Sequence, residues 1–217
     1  MKVTAEDIKT LRARSQAGML DCKQALEACD NDMEKAMNWL REKGKALVAK
    51  KEGRIAAEGL VESYIHMGGK IGVIVEVNCE TDFVAKGDKL KELAHDICLQ
   101  IAASKPLFVD INDVDTAALE EEKKIYFNQS INEGKPEAVA NKIVEGRVKK
   151  YYKEVCLLEQ EYFRDPTKTV RQLVEEAIMV IGEKITVRRF TRYEMGEGLE
   201  KRQDDFANEV QKQMEEK

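Results

Sequence analysis

Residues 71–104 read IGVIVEVNCETDFVAKGDKLKELAHDICLQIAAS, and the hydrophobic period changes within them. Val73, Val75, Val77 and Cys79 recur every second residue, which places them on one face of a strand. From Val84 to Ser104 the spacing lengthens, and Leu90, Leu93, Ala94, Ile97 and Ile101 form the buried stripe of a helix. Between the two lies NCETDFVAKGDK (78–89), where a Phe stands among acids and lysines just after the strand ends. Phe83 has two readings at this point. It anchors the following helix against the sheet, as aromatics commonly do, or it is a contact aimed at another molecule.

Working outward, GLVESYIHM and KIGVIVEVNCE flank Gly68–Gly69, a pair that accepts the positive φ angles of a tight hairpin turn. PLFVDI (106–111) is an extended connector. Residues 113–155 are helical and highly charged, broken at Gly134 and restarted by Pro136. Asp165–Pro166–Thr167 reopens a helix with the stripe Val170, Leu173, Val174, Ala177, Ile178 and Ile181, ended by Gly182. ITVRRFTRYE (185–194) has the β-branched and aromatic content of a strand and is expected to join the hairpin in a three-stranded antiparallel sheet with helices on one side.

Upstream, Thr4 and Asp7 form a capping box, with Val3 and Ile8 as its hydrophobic staple, and Ile8 and Leu11 give the first helix its apolar face. Gly18 breaks that helix. A second carries Leu20, Ala25, Leu26 and Cys29, and a third, capped by Asn31 with Glu34, carries Met33, Ala36, Met37 and Leu40 and ends at Gly44. Residues 45–58 form a basic, partly helical linker. Downstream of Gly196 and Gly198, a last helix has the narrow stripe Phe206, Val210 and Met214, which packs back on the body or docks into a partner. The fold class is therefore α+β. A small three-helix bundle and linker cover 1–54, a mixed core 55–195, and a C-terminal helical module 196–217.

The 217 residues carry 36 Lys and Arg against 41 Asp and Glu, a net charge of −5, which argues against broad nucleic-acid binding. The five cysteines are odd in number with no C-x-x-C spacing, so neither a disulfide framework nor a zinc site is suggested, and a reducing, cytoplasmic setting is expected. No apolar run reaches the roughly 18 residues of a membrane span, and the N-terminus has no apolar signal core. Catalytic constellations are missing as well. His66 and His95 have no partner group in the pattern, GEGLEK lacks the third glycine of a dinucleotide fingerprint, and no phosphate-binding loop motif occurs. Glu80 and Asp82 form an acid/base pair in principle, but carboxylates are common at helix N-termini, where the dipole favours them. Arg147, Lys149, Lys150 and Lys153 beside Tyr151 and Tyr152 suggest either RNA contact or a solvated basic face. The chain reads as a binding protein without its own cofactor or metal.

AGMLDCKQAL, AAEGLV, VNCETDFVAK, QIAAS, EGRVKKYYKEVCLLEQ, GEKITVRRFTRYEMGEG and DDFANEV occur in this order, and together they resemble the bacterial translation elongation factor Ts family from about Leu11 onward. The resemblance implies a ubiquitin-associated-like N-terminal bundle, a mixed α+β core, and guanine-nucleotide exchange on elongation factor Tu. It assigns insertion near the GTPase's magnesium site to Asp82 and Phe83, flanked by Thr81 and Val84. It assigns further contacts to Arg12, Ala17, Gly18, Met19 and Leu20, and to the C-terminal helix around Phe206 and Val210. It also implies a short form, without the second core subdomain and coiled-coil insertion of longer members, paired as a homodimer through the core. Two positions depart from the family pattern: Gln16 replaces a Gly in the helix junction, and Gly87 stands where Asn is frequent. Two other readings remain, a non-exchanging adaptor built on the bundle and an RNA-associated protein using residues 147–153.

Overall fold

The computed structural model describes residues 3–15 and 17–199. The helix expected around Phe206 and Val210 lies outside them. In chain order the elements are α1 (Ala5–Ser15), α2 (Met19–Ala28), α3 (Met33–Lys51), β1 (Glu58–His66), β2 (Ile71–Cys79), α4 (Asp82–Ala85), α5 (Asp88–Ser104), α6 (Thr116–Asn132), α7 (Glu137–Val155), β3 (Glu161–Tyr162), β4 (Asp165–Thr169), α8 (Val170–Ile181) and β5 (Thr186–Glu194). The architecture is α+β, with a three-stranded antiparallel sheet in the order β1–β2–β5 and a small β3–β4 pair.

The main core forms where the period-2 face of β2 meets the stripe of α5. Val73, Val75, Val77 and Cys79 are buried against Leu90, Leu93, Ala94, Ile97 and Ile101, and α8 adds Val170, Val174 and Ile178. Each Val, Leu or Ile among them contributes about 2 kcal/mol when fully removed from water. The hairpin turn passes through Met67, Gly68 and Gly69, all at positive φ, as the glycine pair required. On β5 a bulge falls opposite Glu76 and Val77, leaving Arg188 without a ladder partner. Two successive arginines then reach one carboxylate: Arg188 Nη1 lies 2.8 Å and Arg189 Nε 2.6 Å from Glu76.

The bundle has its own core of Leu11, Cys22, Ala25, Leu26, Ala36 and Leu40. Its first helix starts as expected, with Thr4 N–H donating to Asp7 Oδ2 at 3.0 Å and Asp7 N–H to Thr4 Oγ1 at 3.2 Å. Three expectations change here. Asp32, not Asn31, caps α3 by accepting from the amides of Glu34 and Lys35, while Asn31 turns at positive φ and donates to Asp7. Leu20 does not join the stripe of α2 and is 68% exposed. Gly44 does not end α3, which continues through the linker to Lys51. Gly44 is buried because α8 crosses there: a Cβ on it would stand 1.8 Å from Met179 Sδ.

Two further differences concern the helices that pack on the main core. The reopened helix starts at Val170 with Thr169 and Gln172 as its capping box, and Asp165–Pro166–Thr167 belongs to β4 instead. The single helix expected from Val84 to Ser104 is split, with Gly87 as the N-cap of α5. The charged 113–155 stretch folds back on itself as α6 and α7, closed at its base by Val114, Leu119, Val148 and Cys156. None of the helices among the described residues is long and apolar enough to cross a membrane.

Two outcomes follow from this packing. Gly44→Ala lowers stability by about 1 kcal/mol, because overpacking of roughly 1–3 kcal/mol exceeds the gain of about 1 kcal/mol in helix propensity. In a Met179→Ala background the same change becomes stabilising, which paired thermal melts will read. Glu76 has its carboxyl held down to about 2, from an ordinary 4.5, by the Arg188 and then the Arg189 hydrogen bonds. Its contribution is full above the ordinary value and is lost as pH falls toward 2, so Glu76→Gln flattens the acid limb of melting temperature against pH between about 4.5 and 2.

Candidate functional site

The TDFV segment sits where the best-packed strand hands over to the best-packed helix. Cys79 ends β2 fully buried, and its Sγ donates to Thr81 O at 3.1 Å. Burial raises the Cys79 thiol above its usual range, so it acts here as a small hydrophobe. Thr81 is extended and caps α4, its Oγ1 accepting from Val84 N–H at 3.4 Å. The single turn of α4 then separates its apolar side chains: Val84 and Ala85 pack against the main core, and Phe83 is 84% exposed. The anchoring role belongs to Val84 and Ala85, and the reading of Phe83 as a core anchor is set aside. Asp82 is exposed beside it and takes a 2.7 Å ion pair from Lys86, whose hydrogen bond holds the Asp82 carboxyl below the usual carboxylate range.

Two distant segments brace this corner. Glu183, in the loop between α8 and β5, accepts from Glu80 N–H at 3.1 Å, from Thr81 N–H at 3.0 Å and from Thr81 Oγ1 at 2.7 Å. In return Glu80 accepts from Lys184 N–H at 2.6 Å and from Arg54 Nη1 at 3.1 Å. The Lys184 amide is the main cause of a Glu80 carboxyl below its ordinary range. A carboxylate engaged in this way is unsuited to acid/base work, and Asp82 is paired with Lys86, so the acid/base reading of the two loses its footing. Glu183 and Lys184 stand more than 100 residues from the corner and carried no signal in the sequence beyond two charges after a helix-ending glycine.

The second patch expected from the resemblance lies on the bundle. Arg12 is exposed on α1, Ala17 is half-buried, and Gly18 is the extended N-cap of α2. Met19 and Leu20 project into solvent, 57% and 68% exposed. Among the described residues no hydrogen bond or ion pair joins 12–20 to the TDFV corner, so these are two separate apolar projections.

Other candidates are less well placed. His66 and His95 are both exposed around Tyr64, whose hydroxyl is 2.8 Å from His66 Nδ1, while His95 stands edge-on to its ring. The basic segment of α7 is largely compensated: Arg147 donates to Gln129 and stacks over Tyr126, Lys150 lies 3.7 Å from Glu154, and Lys153 3.9 Å from Glu161. Tyr151 and Tyr152 pack on the core at the base of the hairpin, so they offer no free stacking platform.

A family model described as Elongation factor TS matches residues 2–197. An elongation factor Ts of Desulfitobacterium hafniense is 60% identical over 213 residues, covering 98% of each chain. That of Desulforamulus reducens is 61% identical over 213 residues, again 98% of each chain, and that of Heliobacterium modesticaldum is 60% identical over 208 residues, covering 96% of this chain and 97% of its relative. With a near-complete family match and relatives at this identity, the chain belongs to the elongation factor Ts family.

Proposed function

We propose that this protein is the guanine-nucleotide exchange factor of elongation factor Tu, acting in the cytoplasm during translation elongation and making its effect through the TDFV corner. The observation that carries the reading is the exposure of Phe83 on a single helical turn whose half-buried neighbours Val84 and Ala85 pack against the core. An exposed aromatic on a well-braced corner adds nothing to its own fold, and suits a wedge. Exchange requires no bond chemistry. It requires that the factor and GDP weaken each other's binding to the GTPase by the same factor. A wedge that displaces magnesium removes the largest positive charge beside the diphosphate and loosens the nucleotide. Asp82, negative and exposed, brings like charge toward that anion once it leaves Lys86. Met19 and Leu20, with Arg12, Ala17 and Gly18 around them, form the second grip on the same partner, and Phe206 and Val210 a third.

The reading extends to a homodimer through the core sheet. The face turned away from α5 carries Val61, Ile65, Ile74 and Tyr193, all more than half exposed, with the small residues Ser63, Gly72 and Thr191 at the intervening positions. A second copy of this face fills it at the spacing of packed sheets.

Stopped-flow release of labelled GDP from elongation factor Tu tests the first reading, and no acceleration at micromolar factor rejects it. Phe83→Ala lowers the release rate on the order of tenfold or more, while the melting temperature shifts by less than that of a core truncation, since an exposed side chain is worth within about 0.5 kcal/mol. A matched loss of both returns Phe83 to a structural role. For the dimer, sedimentation of Ile74→Glu gives a monomer and of the wild type a dimer; two identical profiles would count against this face.

A further inference from the structure

Three backbone segments far apart in sequence meet beneath the TDFV corner: the end of α3 (51–54), the turn after β2 (80–81) and the loop after α8 (182–184). Buried Lys51 donates from Nζ to Gly182 O, and Lys184 Nζ donates to the carbonyls of Glu52 at 2.6 Å and Arg54 at 3.0 Å. Arg54 reaches Glu80, Glu80 takes the Lys184 amide, and Glu183 takes both amides and the hydroxyl of the 80–81 turn. The polar groups of the turn are thereby used in both directions, since Thr81 Oγ1 donates to Glu183 while accepting from Val84 N–H.

We infer that Glu183 is the positioning residue of the exchange tip, fixing the start of α4 so that Asp82 and Phe83 leave the body at one set angle, and that the 182–184 loop ties this angle to the end of the bundle's long helix. The inference rests on the exchange-factor reading. α4 has a single turn, too short to hold its own direction by internal hydrogen bonds. Val84 and Ala85 fix its inner side. Its outer side, which carries Phe83, is oriented by the N-cap and by the solvent-exposed Asp82–Lys86 ion pair, and the Thr81 rotamer that makes the cap is set by Glu183 Oε1. Hydrogen bonds to an ionised carboxylate are roughly twice as strong as neutral ones, so three on one side chain make a firm anchor at an otherwise solvent-facing turn. Because Glu183 touches no partner residue in this assignment, its effect passes entirely through the tip.

The experiment compares wild type, Glu183→Ala, Glu183→Gln and Phe83→Ala in two measurements. The first is GDP release from elongation factor Tu across a range of factor concentrations. Glu183→Ala lowers the plateau rate on the order of tenfold or more, since misplacement by about an ångström can cost roughly a hundredfold, with the half-saturating concentration changed by less than about threefold. Glu183→Gln, which keeps an amide-accepting oxygen, recovers most of that loss. The second is amide hydrogen exchange, in which Glu183→Ala loses protection at Thr81, Val84 and Ala85 while the amides of β2 and α5 keep theirs. An unchanged plateau in Glu183→Ala beside a reduced one in Phe83→Ala overturns the inference and leaves the exchange reading standing. Loss of protection spread through β2 and α5 also overturns it, because the residue is then merely structural. If the wild type does not accelerate release at all, the exchange reading has failed, and amide protection alone decides whether Glu183 holds the turn.

Discussion

The inner face of β2 against the stripe of α5 is the contact on which the remainder of the molecule is arranged. β2 is the central strand, paired with β1 on one side and β5 on the other, so its position is set by two ladders as well as by the side chains beneath it. Val73, Val75, Val77 and Cys79 bury against α5 with almost no residual exposure, and α8 closes the same core from its other side. Interiors packed at this density do not deform gradually. A segment that leaves such a core at Cys79 and re-enters it at Val84 therefore has little freedom in between, and whatever points outward from that interval is presented in one orientation.

The proposed exchange reading depends on that geometry, because it presents Phe83 outward from a braced corner. The exposed Phe83 contributes nothing to its own core, and the charges around it are engaged in holding the corner. The polar clasp is built mostly from carboxylates that accept backbone N–H groups, which satisfies amides that a turn between strand and helix would otherwise leave to water. The same clasp reaches the end of α3, the helix that α8 meets at Gly44, so bundle and core share a polar and an apolar junction within a few residues of each other.

The regular elements were legible because each has a face to bury. The two-residue period of β2, the β-branched and aromatic content of β5, the stripes of α5 and α8, the Gly68–Gly69 turn and the Thr4–Asp7 capping box all depend on neighbours within a few residues, and the structure has each of these elements. Misreadings arose where a local rule met a distant partner. Gly44 has the composition of a helix end but is a crossing point for Met179, and Leu20 fits the spacing of α2 while pointing away from its core. Asp165–Pro166–Thr167 looks like a helix start, yet pairing with Glu161 and Tyr162 draws it into a strand.

The candidate site divides along the same line. Sequence alone marked TDFV as an anomaly, a Phe among charges at the end of a strand, and its family motifs named a partner. It left open whether Phe83 faced inward or outward, since hydrophobicity is equally served by either. Only the fold decided, by giving the inner position to Val84 and leaving Phe83 in solvent. The clasp of Glu183, Glu80, Lys184 and Arg54 had no sequence signature at all, because hydrogen bonds between residues 26 to 130 positions apart are set by where three packed elements end, not by any period along the chain.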